Sequence, residues 1–235
     1  MFFPVFNLNY LFYMLPALIL SAIAQFYVNA SYSRWGQVAN RSGLNGAQVA
    51  QRLADRMGLY GMQLKGTPGK LTDHYDPSQN TLSLSQDIAQ SASVASMAIT
   101  AHELGHAQQD QEDYFPMRLR TAMVPVVNIG TTVGWIFILL GLLLQFSDLA
   151  WLGIIAFSAG AIFSIATLPV ELNASRRARQ LLKTNGLVTT EEEEKGVNQV
   201  LNAAALTYVA AIATSVLQLM YFASMVGGGR RRCRP

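Results

Sequence analysis

Charge is what this chain has least of. Only 13% of its 235 residues are Asp, Glu, Lys or Arg, against roughly 25% in an average soluble domain. Hydrophobic residues make up 51%, and mean hydropathy is +0.25. So few charges cannot coat a water-soluble globule of this size, and a disordered chain would carry more of them. Cysteine is nearly absent: Cys233 stands alone, which excludes an internal disulfide framework and any cysteine-based zinc cluster. Net charge is only +3 and the 17 Lys and Arg form no long basic stripe, which argues against nucleic-acid binding. An integral membrane protein is the class that remains. The few charges must then be kept for reasons, and their positions are informative.

A spanning helix needs about 20 mostly apolar residues. Four stretches qualify: Tyr10 to Val28, Ala122 to Phe146, Leu149 to Leu168, and Val200 to Val226. The first has no Lys or Arg before it and lacks a signal-peptide pattern, so it reads as an uncleaved anchor. The second carries Gly130, Gly134 and Gly141 at spacings suited to close helix packing. Only Ser147 and Asp148 clearly separate it from the third, so the two form a tight hairpin. The chain divides into an anchor (1–29), a soluble segment (30–121), a transmembrane hairpin (122–169), a second surface segment (170–199), a last span (200–226) and a basic tail (227–235). With four spans, both soluble segments lie on one side of the membrane. Arg34, Arg41, Arg118, Arg120, Arg176, Arg177, Arg179, Lys183 and Lys195 favour the cytoplasm for that side. The tail, with Arg230, Arg231, Arg232 and Arg234, argues the other way.

Within the first soluble segment, Gly46–Met57 has the apolar spacing of an amphipathic helix, closed by Gly58. Tyr60–Lys65 and Thr81–Ser85 read as short strands able to pair in a hairpin or small sheet. Between them lies LTDHYDP, a good turn sequence. Ser91–Gln109 reads as a helix carrying His102-Glu103-Leu104-Gly105-His106.

That is the H-E-x-x-H pattern. Residues four apart share a helix face, so two imidazoles can converge on one metal ion, with Glu103 beside them as a general base. Zinc suits two imidazoles, a carboxylate and an open position. The residues around the motif, from Ile99 to Ala107, are otherwise uncharged, as a buried metal-bearing helix requires. The extended form with Gly and His further on is absent, since Gln109 and Glu112 stand at those positions. The third ligand must come from elsewhere. Glu191–Glu194 reads as a solvated helix start. Glu171 follows the third span directly, where a lone carboxylate is costly without a partner. It is the expected ligand; the alternatives for it are an ion pair with Arg176 or Arg177, or a helix N-terminal charge. His74, the remaining histidine, is open to three readings: third ligand, transition-state hydrogen-bond donor, or turn residue.

The segments NGAQVAQRLADRMGL, LTDHYDP, AITAHELGHAQQD, PMRLRTAMVPVVNIG, LPVELNASRRA and ALTYVAA resemble those of the YugP-like neutral zinc metallopeptidases of bacterial membranes. More distantly, the plan is similar to the HtpX and CAAX-prenyl membrane proteases. The resemblance implies a mainly α, multi-pass membrane zincin holding one zinc ion and cleaving proteins or peptides at the bacterial inner membrane. In those distant relatives an Asp four residues after the ligand Glu supports a zinc-bound His. Here that position is Ser175, with Asn173 nearby, so Asn173 and Ser175 are the expected supports, and His74 or Tyr208 the expected oxyanion donor. The rival reading is a non-catalytic zinc-binding scaffold. A transporter is disfavoured, because no chain of ionisable residues runs through the spans.

Overall fold

A computed structural model of the protein describes residues 8–229. The arginine tail and Cys233 lie outside the described residues. In chain order the elements are α1 (Leu8–Gly36), α2 (Gly46–Met57), β1 (Gln63–Thr67), β2 (His74–Asp76), β3 (Thr81–Ser85), α3 (Gln86–Gln90), α4 (Val94–Gln111), α5 (Phe115–Leu143), α6 (Ser147–Thr184) and α7 (Glu191–Gly229). They fall into two compact units.

The first unit holds the described residues up to Ala24, Leu119–Leu168, and those from Thr207 onward. Its four helices α1, α5, α6 and α7 are long and apolar enough to cross a membrane. Large apolar side chains cover their outer faces, Phe12 76% exposed, Ile129 67% and Ile155 66%. Water would penalise such a surface, whereas lipid tails match it. The expected glycine packing is present. A Cβ at Gly134 would stand 2.8 Å from the Gly153 carbonyl, and one at Gly153 would stand 2.7 Å from the Gly134 carbonyl. Only hydrogen at these positions lets α5 and α6 approach so closely. Met14, Ile138, Ile154, Tyr221 and Phe222 fill the interior. The hydroxyls of Thr131, Thr167 and Thr214 bond back to carbonyls of their own helices, so these three donors are not stranded in hydrocarbon.

The second unit comprises Gln25–Arg118 and Pro169–Leu206. Helix α2 forms where its periodicity predicts. Asn45 and Gln48 make a capping box at its start, and Gly58, at φ 69°, terminates it in the left-handed conformation. Its apolar face, Val49, Ala50 and Leu53, joins Trp35, Leu82, Leu84, Met97, Leu104 and Leu182 in one core. Helix α4 begins at Val94 rather than Ser91, because Ser93 caps it by accepting from the Ser96 N–H.

The sheet differs from a simple hairpin. Its order is β1-β3-β2, with β1 parallel and β2 antiparallel to β3. The connection between the two expected strands carries a third one, out of the turn-like LTDHYDP. Asp73 accepts from the Ser85 N–H at 2.7 Å and Asp76 from the Ser78 N–H at 2.9 Å. Asp76 therefore acts as a turn residue at the end of β2, whereas Asp73 ties the start of that strand to the end of β3.

Helix α6 passes through Pro169 without a break, so Glu171 rides on the same helix as the third span and the helix N-terminal alternative for it falls away. One further expectation needs correcting. The Glu191–Glu194 run is not uniformly solvated: Glu193 is 3% exposed and accepts from the N–H groups of Arg41, Thr189 and Thr190. It caps α7 and closes the loop after α1, which a charge run read in isolation does not reveal.

Candidate metal centre

The uncharged stretch around the HExxH motif lets α4 run through the core. Ala98, Ala101, Leu104 and Gly105 are buried around it. At Gly105 the helix meets α6 so closely that a Cβ would stand 2.6 Å from the Ala174 carbonyl oxygen. This contact sets the first turn of α6 beyond Pro169 against the histidine face of α4.

The result is a convergence of three donors, His106 and Glu171 buried and His102 partly exposed. His102 Nε2 lies 3.3 Å from Glu171 Oε2 and His106 Nε2 lies 3.5 Å from the same oxygen. The two imidazoles sit 4.9 Å apart, nearly perpendicular. Glu171 is 3% exposed. One ligand atom from each of His102, His106 and Glu171 lies within 4.8 Å of the others, and among the described residues this is the group suited to a metal ion.

The other ring nitrogens are occupied. Ser175 Oγ is 3.2 Å from His102 Nδ1, and Gln109 Oε1 is 3.0 Å from His106 Nδ1. With Nδ1 engaged on both rings, both Nε2 atoms face the shared point. The electrostatics agree. Burial disfavours a proton on His106, yet the Glu171 carboxylate and then Glu103 hold its pKa above the ordinary value. The site thus attracts positive charge. Two imidazoles and a carboxylate fit zinc.

Glu103 is buried beside this group but outside it. Burial pushes its carboxyl above the usual range, against the opposing pull of the His102 and His106 imidazoles. A carboxyl with a raised pKa is a better proton acceptor than a solvated one. Its Oε2 accepts a hydrogen bond from the Tyr75 backbone N–H on β2 at 3.0 Å.

The remaining expected residues are distributed as follows. Ser175 touches His102 through its hydroxyl. Asn173 does not touch a histidine; its Oδ1 accepts from Gln109 Nε2 at 2.9 Å and Arg177 Nε at 2.7 Å. Arg177 is paired with Glu112 at 2.7 Å. His74 is exposed, and its Nδ1 lies 2.8 Å from the Thr72 carbonyl oxygen. Tyr208 is half-buried on α7 in the first unit. The residue missed in the sequence is Gln109. Its signal was its place: three residues after His106, one turn along the same helix, and polar where the helix is buried.

Fold and site together define a class, that of integral membrane proteins of the zinc-metallopeptidase type. The chain belongs to the family described as "putative neutral zinc metallopeptidase", whose match extends over residues 10–227. It is 42% identical over 221 residues to the "Putative membrane protease YugP" of Bacillus subtilis (strain 168), covering 94% of this chain and 98% of that protein. No solved structure matches it.

Proposed function

We propose that this protein is an active zinc-dependent endopeptidase of the gluzincin type, with His102, His106 and Glu171 as metal ligands and Glu103 as general base. The observation that carries the reading is the buried carboxylate of Glu103 next to, and separate from, three converging donors. A structural zinc needs no such neighbour. Zinc, when bound, supplies Lewis acidity to a scissile carbonyl and lowers the pKa of a water. Glu103 takes a proton from the attacking water and returns it to the leaving amine. Tyr75 N–H aims the carboxylate by its hydrogen bond. Strand β2 pairs with β3 on one side, and its other edge suits an extended substrate backbone, which strand addition accepts with little sequence preference.

The substrates fitting this arrangement are unfolded or membrane-proximal polypeptides, because Glu171 lies on the helix that carries the third span. The basic residues flanking the spans support a cytoplasmic site at the bacterial inner membrane.

Purified protein is expected to hold about one zinc, in keeping with a single three-ligand site. Glu103→Gln should keep that zinc and lose about 100-fold or more of the cleavage rate on an unfolded substrate. Zinc-free wild-type protein, or unchanged cleavage in the variant, refutes the reading, and the latter outcome would favour a zinc-binding scaffold.

A further inference from the structure

Gln109 is fully buried, at 0% exposure. A buried amide must place one oxygen and two N–H groups, and Gln109 places them all on groups tied to the metal centre. Its Nε2 donates to the Val170 carbonyl at 2.8 Å and to Asn173 Oδ1 at 2.9 Å. Its Oε1 therefore faces His106 Nδ1, 3.0 Å away. An amide oxygen only accepts, so Nδ1 carries the proton, and in the neutral ring the lone pair stands on Nε2, the atom turned to Glu171.

The amide cannot turn over. Asn173 Oδ1 also accepts from Arg177 Nε, a group that only donates, so Asn173 must present oxygen to Gln109. Arg177 is in turn held by Glu112 and lies over the Tyr114 ring, 5.7 Å from its centroid. Val170 directly precedes Glu171, so the side chain that orients His106 also grips the backbone presenting the carboxylate.

We infer that Gln109, locked in orientation by Asn173 and Arg177, is a positioning residue for the metal: it fixes the Nδ1–H form of His106 and ties the Glu171 backbone to α4.

The inference rests on the proposed ligand roles of His106 and Glu171, and the experiment separates the two. The full chain in detergent is titrated with cobalt(II), and zinc affinity is read by competition, for the wild type, His106→Ala, Gln109→Leu and Arg177→Gln. His106→Ala should abolish tight binding. Gln109→Leu should loosen zinc about 10–100-fold, the usual cost of losing the partner of a ligand histidine, and should shift the cobalt absorption bands. Arg177→Gln, at a less buried position, should loosen zinc by a smaller factor and shift the bands in the same sense. A merely structural Gln109 would lower the melting temperature of the metal-free protein but leave the cobalt spectrum in place. Wild-type affinity and spectrum in both Gln109→Leu and Arg177→Gln, with binding lost in His106→Ala, overturn the inference and leave the ligands standing. Tight binding retained in His106→Ala overturns the ligand reading itself. If Gln109→Leu does not fold, the affinity and spectrum of Arg177→Gln decide alone.

Discussion

Tyr75 and Glu103 are joined by a backbone N–H to carboxylate hydrogen bond of 3.0 Å. The same tyrosine sends its hydroxyl to Asp110 Oδ2 at 2.9 Å, and burial together with Asp110 holds the phenol above its usual pKa, in its donating form. Glu103 and Asp110 are two turns apart on α4. One residue of β2 therefore spans the histidine face of the helix and is pinned at both ends.

Tyr75→Phe removes the far pin. The stability loss should be modest, about 0.5–1.5 kcal/mol for one hydrogen bond. The cleavage rate should fall further than stability, because the N–H that aims Glu103 is no longer held, while zinc content stays unchanged. Thermal unfolding, metal analysis and turnover on one preparation check this; unaltered turnover would show that β2 keeps its place without the tyrosine hydroxyl.

Glu171→Ala should cut zinc affinity sharply, since it deletes one of three converging donors. His74→Ala should leave zinc content unchanged, because that ring is exposed and turned to the Thr72 carbonyl. The reverse pattern in metal analysis would transfer the third-ligand role to His74.

Gly105→Ala places a methyl 2.6 Å from the Ala174 carbonyl oxygen, where only backbone movement can make room. Overpacking of this kind costs about 1–3 kcal/mol. The movement separates α4 from α6, so zinc affinity should drop with the melting temperature. Gly66→Ala, where a Cβ meets nothing within 4 Å, serves as the control.

The stabilisation conferred by zinc should grow from pH 6 to pH 8. His106 has a raised pKa in the metal-free fold. Its proton contributes stability fully below the ordinary histidine value, about 6.5, and that contribution is lost as pH rises through the higher folded value. Glu103, also raised, adds a loss in the same direction as it ionises. Zinc needs the neutral imidazole, so its binding strengthens over the range in which the metal-free site weakens. Melting temperatures with zinc and with a chelator at the two pH values test this; a zinc increment that shrinks with pH would contradict it.

How far the sequence carries depends on the range of the forces involved. Spans are legible because the bilayer imposes a length on any apolar helix. Helix α2 is legible from its period and its caps, and the His102–His106 pair from the four-residue helical repeat. All of these are settled within a few turns of chain. Glu171 could be singled out only as a carboxylate in a costly place. What sets it against the histidines is the absent Cβ of Gly105, which lets two distant helices touch. Gln109 looked like a departure from a longer motif, and Glu193 like one charge in a solvated run. Each finds its partners on segments remote in sequence, Val170 and Asn173 for one and Arg41 for the other. The turn-like DHYDP becomes a strand because β3 offers it an edge. The chemistry was thus written locally, in one helical repeat. The third donor and the supports that hold it are set by tertiary packing, since periodicity and caps carry no record of which distant surfaces meet.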